Sequence, residues 1–360
     1  MKIIDAHTHI QLERAFWQQS DNPKASTVDG MFNPIYDLAK RLNYEKFTVL
    51  SLQCIGDMLQ NLLCALCKIT NPGKTYAFGG FDYTTGRDVL SQAKNLREMG
   101  FDGIKMLEGK PTTRKTLKRA LCDPMYDDYY SYMEETGFPI LFHVADPGTF
   151  WDKSKVPDWA IEQGWYYDET NVPYNQYYEE VETMLNKHPK LKAIFAHFFF
   201  LSPEPERAQK FLDDHPNVCI DVTAGIEMYE DFSLNPKFWH DFFVKNNRRL
   251  IFGTDSTDTS NDTSDAEGKV ELNGYASMEI EFLRTDSIID IFGKKIHGIG
   301  LPESAQERIL ALNYQDIVGA SPAEVNIDLL IKEANFIRGY LENDSDIKLL
   351  ENILSQFSGK

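Results

Sequence analysis

The residues with the clearest chemical potential are His7 and His9, in the opening run Met1-Lys2-Ile3-Ile4-Asp5-Ala6-His7-Thr8-His9-Ile10. The apolar stretch Lys2 to Ala6 reads as a buried strand. Residues i and i+2 of a strand project from the same face. Two imidazoles therefore stand side by side at a strand tip, which suits two adjacent ligands of one transition-metal ion. A His-X-His pair alone also fits two ordinary hydrogen-bonded histidines, so the reading depends on further ligands at further strand ends. His143, His197 and Asp255 supply them, each closing an apolar run of its own. In this reading His7, His9 and His143 offer neutral imidazole nitrogens and Asp255 a carboxylate oxygen. Such an N/O set suits a divalent ion, Zn²⁺ first, with Mn²⁺, Fe²⁺ and Co²⁺ admitted. The ion would lower the pKa of a bound water toward ~7. Asp255 would take the proton and pass it to a leaving group. His197 would polarise a substrate carbonyl or hold an oxyanion.

Those side chains need elements that bring them to one place. Strand-like runs recur at Lys46 to Leu52, Thr75 to Phe81, Gly103 to Met106, Pro139 to Val144, Leu191 to His197, Val218 to Val222 and Leu250 to Asp255. Each is bounded by turn residues, with helix-compatible stretches between them. With the first run, these are eight strands separated by helices, the order of an α/β fold of the (β/α)8 barrel type. In such a barrel the carboxyl ends of the strands converge on one face, where active sites sit. The other four histidines serve as a control. His188 and His215 precede prolines in turns leading into strands, His240 falls within a helix, and His297 follows a lysine pair. Lys105, ending the fourth strand, faces the same side as the candidate ligands, with Lys110 and Arg114 on the following loop. The long connection Ala145 to Pro173 holds Phe150, Trp151, Trp159, Trp165, Tyr166 and Tyr167. A connection of that length suits a binding loop, with Trp151 a substrate-contacting candidate.

Composition sets the class. The chain has 360 residues, 42% of them hydrophobic, which is ample for a large core. A net charge of −18 argues against nucleic acid or an anionic membrane as partner. No apolar run reaches the ~18 residues of a membrane span. The candidate ligands begin at residue 7, leaving no room for a signal peptide before them. The five cysteines lie scattered in apolar contexts, as expected of thiols in a reducing compartment. The expectation is a cytoplasmic protein, compatible with a homodimer, acting on a small molecule. Ser256 to Asn273 is polar and acidic, with Asp258, Asp262, Asp265, Glu267 and Glu271, and reads as a solvated loop. Helices over Tyr275 to Arg284, Glu303 to Leu312, Pro322 to Glu342 and Asp346 to Phe357 would pad the barrel. The expected division is a catalytic barrel over 1–320 and a helical extension over 321–360.

With these pieces in place the chain resembles the amidohydrolase superfamily, in its amidohydrolase-related branch of metal-dependent barrel enzymes. The matching pieces are Asp5-Ala6-His7-Thr8-His9, Phe142-His143-Val144, Ala196-His197, Phe252-Gly253-Thr254-Asp255, and Gly300-Leu301-Pro302-Glu303 running into Asn313. Tyr314 departs from the Asn-Ala that usually ends that tail. The resemblance implies the ligand and proton-transfer roles given above. It also gives Lys105 two options: a carbamylated bridge between two ions, or, in single-metal members, a contact to a substrate carboxylate. The second fits the related branch better. The implied activity is hydrolysis of an amide, lactone or ester of a small carboxylated molecule. The alternative is non-oxidative decarboxylation, as in aminocarboxymuconate semialdehyde and resorcylate decarboxylases. A non-catalytic barrel would show decay of the strand-end residues, and the full set is present.

Overall fold

A computed structural model of the chain describes residues 1–10, 32–54, 57–223, 225–257, 266–291 and 293–358. Asp258, Asp262, Asp265 and the side chains of Glu267 and Glu271 lie outside them.

The parallel strands are β1 (Ile4–His9), β2 (Lys46–Leu50), β3 (Thr75–Gly79), β4 (Gly103–Gly109), β5 (Ile140–Val144), β6 (Ala193–Phe195), β7 (Val218–Asp221), β8 (Leu250–Ile251) and β9 (Ser256–Thr257). They hydrogen-bond in the order β8-β7-β6-β5-β4-β3-β2-β1-β9. Because β8 and β9 are two halves of the last strand, this order describes a barrel. Hydrogen bonds from Ala6 N–H to the Phe252 carbonyl and from Asp255 N–H to the His7 carbonyl join β1 to the break between those halves. Helices such as Asn33–Arg41, Gln60–Thr70, Val89–Glu98, Tyr174–Lys187 and Pro236–Lys245 alternate with the strands.

Alternation decides where each side chain goes. Ile104, Met106, Ile140, Phe142, Ala193, Phe195, Val218 and Ile220 belong to the large core that also holds the helix residues. Ile4, Ala6, Leu50, Tyr76, Phe78, Leu141, Ile194, Cys219 and Ile251 form a second cluster inside the barrel. Both faces are thus dry, as strands enclosed by helices require. Tyr314 belongs to the inner cluster. Its ring packs 5.2 Å from that of Tyr76 and its hydroxyl lies 2.5 Å from Thr48 Oγ1. The departure from the usual small residue therefore fills the barrel floor. Asn313 beside it donates to the carbonyls of Asn247 and Leu250, both at 2.6 Å, tying the tail to β8.

Several elements depart from the sequence expectation. A helix, Ala266–Arg284, begins inside the stretch expected as a solvated loop, and β4 runs on to Gly109, so Lys105 lies within the strand rather than at its end. The last strand is interrupted rather than continuous over Leu250 to Asp255. A helix at Ile226–Leu234 and an antiparallel hairpin of β10 (Ile288–Ile291) and β11 (Lys294–His297) were not anticipated. The late helices Ile327–Arg338 and Asp344–Ser358 lie outside the barrel. Glu333 pairs with Arg87 at 2.8 Å, and Asp102 accepts from Ala323 N–H at 2.7 Å. Among the described residues no helix is long and apolar enough to cross a membrane.

Candidate metal centre

The inward phase of β1 changes partway along it. Ile4 and Ala6 point into the barrel core, so unbroken alternation would send Thr8 inward next. A register shift between Asp5 and Thr8 intervenes, and His7 and His9 face the interior instead. A bulge beside a site, re-aiming side chains, is a recurrent device. Gly253 makes room for the result: a Cβ there would stand 2.7 Å from both His7 Cβ and Thr223 Oγ1.

His7 Nε2 and His9 Nε2 lie 3.1 Å apart. Asp255 Oδ1 is 3.1 Å from His9 Nε2 and 3.5 Å from His7 Nε2. Asp255 reaches them because its backbone is left-handed, φ 53°, at the break between β8 and β9. The outer nitrogens of the two rings have partners of their own. His7 Nδ1 lies 2.9 Å from Asp221 Oδ2, and His9 Nδ1 lies 2.9 Å from the Leu50 carbonyl, both acceptors. Each Nδ1 thus has an acceptor beyond it, an arrangement that suits Nε2 as the inward donor atom of a metal site. Burial holds the His7 imidazole well below its ordinary pKa, and the Lys105 ammonium adds to this. The two inward nitrogens and the Asp255 oxygen lie within about one ligand shell of a common point. A divalent cation satisfies all three, so the donor set fits such an ion. Among the described residues these three meet within 4.8 Å.

Lys105 is buried inside the barrel, with Nζ 3.3 Å from His7 Nε2. Burial lowers its ammonium to about 8. The lysine does not snorkel from the barrel rim. Arg114 turns away: it forms a bidentate pair with Glu180 at 2.8 and 3.0 Å. Lys110 reaches Asp146 Oδ1 at 3.0 Å and lies 4.6 Å from the Trp165 ring centre.

His143, next to last in β5, faces inward but is not in the donor group. Its Nε2 is 3.1 Å from Asp146 Oδ1, because left-handed Ala145 (φ 63°) folds the chain back at once after the strand. Tyr167 donates to the other oxygen of Asp146 at 2.5 Å. The His197 ring stands between, its centre 5.3 Å from that of His7 and 5.0 Å from that of His143. His197 opens a run of four left-handed residues, with φ of 57°, 53°, 54° and 51° through Phe200. Left-handed backbone costs about 1–2 kcal/mol per residue. Buried Phe198 and Phe199 offset it, the former among Phe232, Trp239 and Phe242, the latter among Tyr178, Phe195 and Phe211. Each such ring contributes about 1.5–3 kcal/mol by leaving water. The outcome is a fixed His197 imidazole with Phe200 stacked on it, centres 5.3 Å apart. Burial lowers the pKa of that imidazole.

A cavity of about 630 Å³ opens beside His197 and Thr223, walled by Trp151, Tyr174 and Phe200. Trp151 Nε1 donates to the Val172 carbonyl at 3.0 Å. Phe150, Tyr167 and Trp165 pack with it in a small core of the loop's own. The long connection is thus a folded wall of the cavity.

Sequence reasoning did not single out Asp221, Asp146 or the buried anchor role of Asp5. Asp5 Oδ1 accepts from His7 N–H at 3.0 Å and Thr254 N–H at 3.2 Å, and Oδ2 from the Thr254 hydroxyl at 2.6 Å. A polar residue at the inward phase of an apolar strand was the available signal for Asp221.

The sequence pattern of a family described as amidohydrolase matches residues 4–313. None of the curated protein sequences matches the chain. Among solved structures, the 4-oxalomesaconate hydratase of Rhodopseudomonas palustris is 14% identical, with a TM-score of 0.54 over 93% of this chain and 99% of its own. An amidohydrolase from Burkholderia multivorans with bound zinc is 11% identical, with a TM-score of 0.52 over 89% and 100%. A dihydroxybenzoic acid decarboxylase from Polaromonas, with bound manganese and the inhibitor 2-nitroresorcinol, is 13% identical, with a TM-score of 0.51 over 88% and 96%. At these identities the likeness is one of fold.

Proposed function

The chain belongs to the amidohydrolase family, and on that premise we propose that it is a divalent-metal-dependent hydrolase of an amide, lactone or ester bond in a small carboxylated molecule. The observation that carries the reading is the convergence of His7 Nε2, His9 Nε2 and Asp255 Oδ1, with an acceptor behind Nδ1 of each ring. A divalent ion there, Zn²⁺ in our reading and Mn²⁺, Fe²⁺ or Co²⁺ as alternatives, supplies Lewis acidity and acidifies water toward ~7. The zinc and manganese in two structural neighbours support that assignment. His143 would join as a further ligand only on leaving Asp146. Asp255, 39% exposed at its side chain, takes the proton of the attacking water and returns it to the leaving group. The neutral His197 imidazole donates to the developing oxyanion. Lys105 holds the substrate carboxylate, and Trp151 walls the space for the rest of the molecule.

One observation favours a second reading, decarboxylation. Lys105 Nζ is 3.3 Å from a ligand atom, so a carboxylate it binds lies at the centre itself, where it is placed to leave as CO₂. The test is turnover of candidate amides, lactones and aromatic carboxylates by metal-loaded enzyme in ¹⁸O-labelled water. One ¹⁸O gained with no carbon lost establishes hydrolysis; CO₂ release with a solvent proton on the product carbon establishes the lyase. Asp255→Asn should abolish whichever is found. Absence of both with every ion tried overturns the proposal for these substrate classes.

A further inference from the structure

We propose that Asp221 is a positioning residue for this centre: one buried carboxylate sets the ligand tautomer of His7 and pins the backbone that presents His197. The inference rests on the metal reading above and goes beyond its ligands. Asp221 ends β7 and has no exposed surface. Oδ2 accepts from His7 Nδ1–H at 2.9 Å. Oδ1 accepts from the backbone N–H groups of His197 at 2.7 Å and Thr223 at 3.2 Å. A single side chain therefore joins a ligand on β1 to the first residue of the left-handed run after β6.

The carboxylate accepts only, and that is the point of the arrangement. Thr223 Oγ1 also lies 3.2 Å from His7 Nδ1, but a hydroxyl both donates and accepts, so it leaves the tautomer open. Asp221 closes it in favour of Nδ1–H and an inward lone pair on Nε2. A carboxylate behind a ligating imidazole also raises its basicity, and loss of such partners typically weakens metal binding 10–100-fold. The opposite oxygen holds the His197 amide at the point where the backbone turns left-handed, which keeps the His197 ring 5.3 Å from His7.

Asparagine in its place cannot serve all three donors. With its carbonyl on the two backbone amides, its NH₂ faces His7 Nδ1 and drives the ring proton to Nε2, into the ion's position. Turned the other way, NH₂ meets two N–H groups. The first arrangement satisfies more bonds, so Asp221→Asn should fold and invert the His7 tautomer.

The experiment has two parts. Imidazole ¹⁵N NMR of the metal-free wild type should show His7 protonated at Nδ1, and Asp221→Asn should show Nε2. Chelator competition should give a 10–100-fold weaker zinc affinity for Asp221→Asn, with an altered visible spectrum of the cobalt-loaded form. Thr223→Ala should stay within about 2-fold of wild type. Wild-type His7 protonated at Nε2 overturns the proposal without any variant. Asp221→Asn with wild-type zinc affinity overturns it too. A wild type that binds no divalent ion refutes the metal reading, and the tautomer measurement then still decides the role of Asp221.

Discussion

The Nε2 atoms of His7 and His9 lie 3.1 Å apart, with Asp255 Oδ1 3.1 Å from the second and Lys105 Nζ 3.3 Å from the first. On the far side of each ring, His7 Nδ1 faces Asp221 and His9 Nδ1 the Leu50 carbonyl. A divalent cation at this point would be held by both nitrogens and the Asp255 oxygen. Binding energy of that kind appears directly as folding stability, because the unfolded chain has no such site.

Divalent zinc should raise the melting temperature, and a chelator should reverse the shift. At an ion concentration ~1,000 times Kd the gain is about 4 kcal/mol. His9→Ala should remove most of it while leaving the metal-free melting temperature near that of the wild type. Differential scanning calorimetry with and without zinc reads both; a full zinc shift in the variant removes His9 from the ligand set.

His197→Gly trades an imidazole for backbone relief. The variant should be as stable as the wild type or more so by about 1 kcal/mol, since glycine adopts the left-handed conformation freely. Turnover should fall by about 10²-fold or more with loss of the oxyanion donor. Denaturant melts and steady-state kinetics on one preparation make the check. An active variant takes His197 out of the chemistry, and a clearly destabilised one means the run carries no strain.

Stability should depend on pH through Glu108. Burial raises its carboxyl from the ordinary 4.5 to about 7, while the Tyr83 hydroxyl donates to Oε1 at 2.6 Å. Oε2 has no partner among the described residues. The folded protein thus holds this proton more tightly than the unfolded chain. The associated stabilisation is complete below the unfolded value and is lost as pH rises through about 7, at about 1.4 kcal/mol per unit of pKa difference. Glu108→Gln should flatten that slope, measured as unfolding free energy from pH 4 to 8. Asp5, also raised to about 7 by burial, should leave a residual slope of the same sign.

Arg114→Ala should act on the fold rather than on the site. It leaves the buried Glu180 carboxylate without its cation, held only by Leu121 N–H at 3.0 Å and the Gln176 side-chain amide at 3.3 Å. Removing one partner of a buried ion pair costs up to about 3–5 kcal/mol, and the two remaining hydrogen bonds lessen that cost. A melting temperature within one degree of wild type would contradict the structural role of the pair. Activity at a permissive temperature should be retained.

The sequence by itself pointed to the barrel and to His7, His9, His143 and Asp255 as strand-end residues of its carboxyl face. Both signals are local: an apolar run with a polar terminus repeats along the chain, and parallel closure brings the termini together. It also set the strand-end histidines apart from His188 and His215, which pair with Glu134 and Glu182. The tertiary structure decided the rest. The register shift that turns His7 and His9 inward depends on how β1 pairs with β2. The break that brings Asp255 back to them depends on how the last strand closes against β1. The diversion of His143 to Asp146 follows from the turn at Ala145. The partner that fixes the His7 proton, Asp221, lies 214 residues away. Alternation along a strand is written in neighbouring residues. Hydrogen bonds between side chains of different strands exist only once the barrel has closed, and no spacing in the chain encodes them.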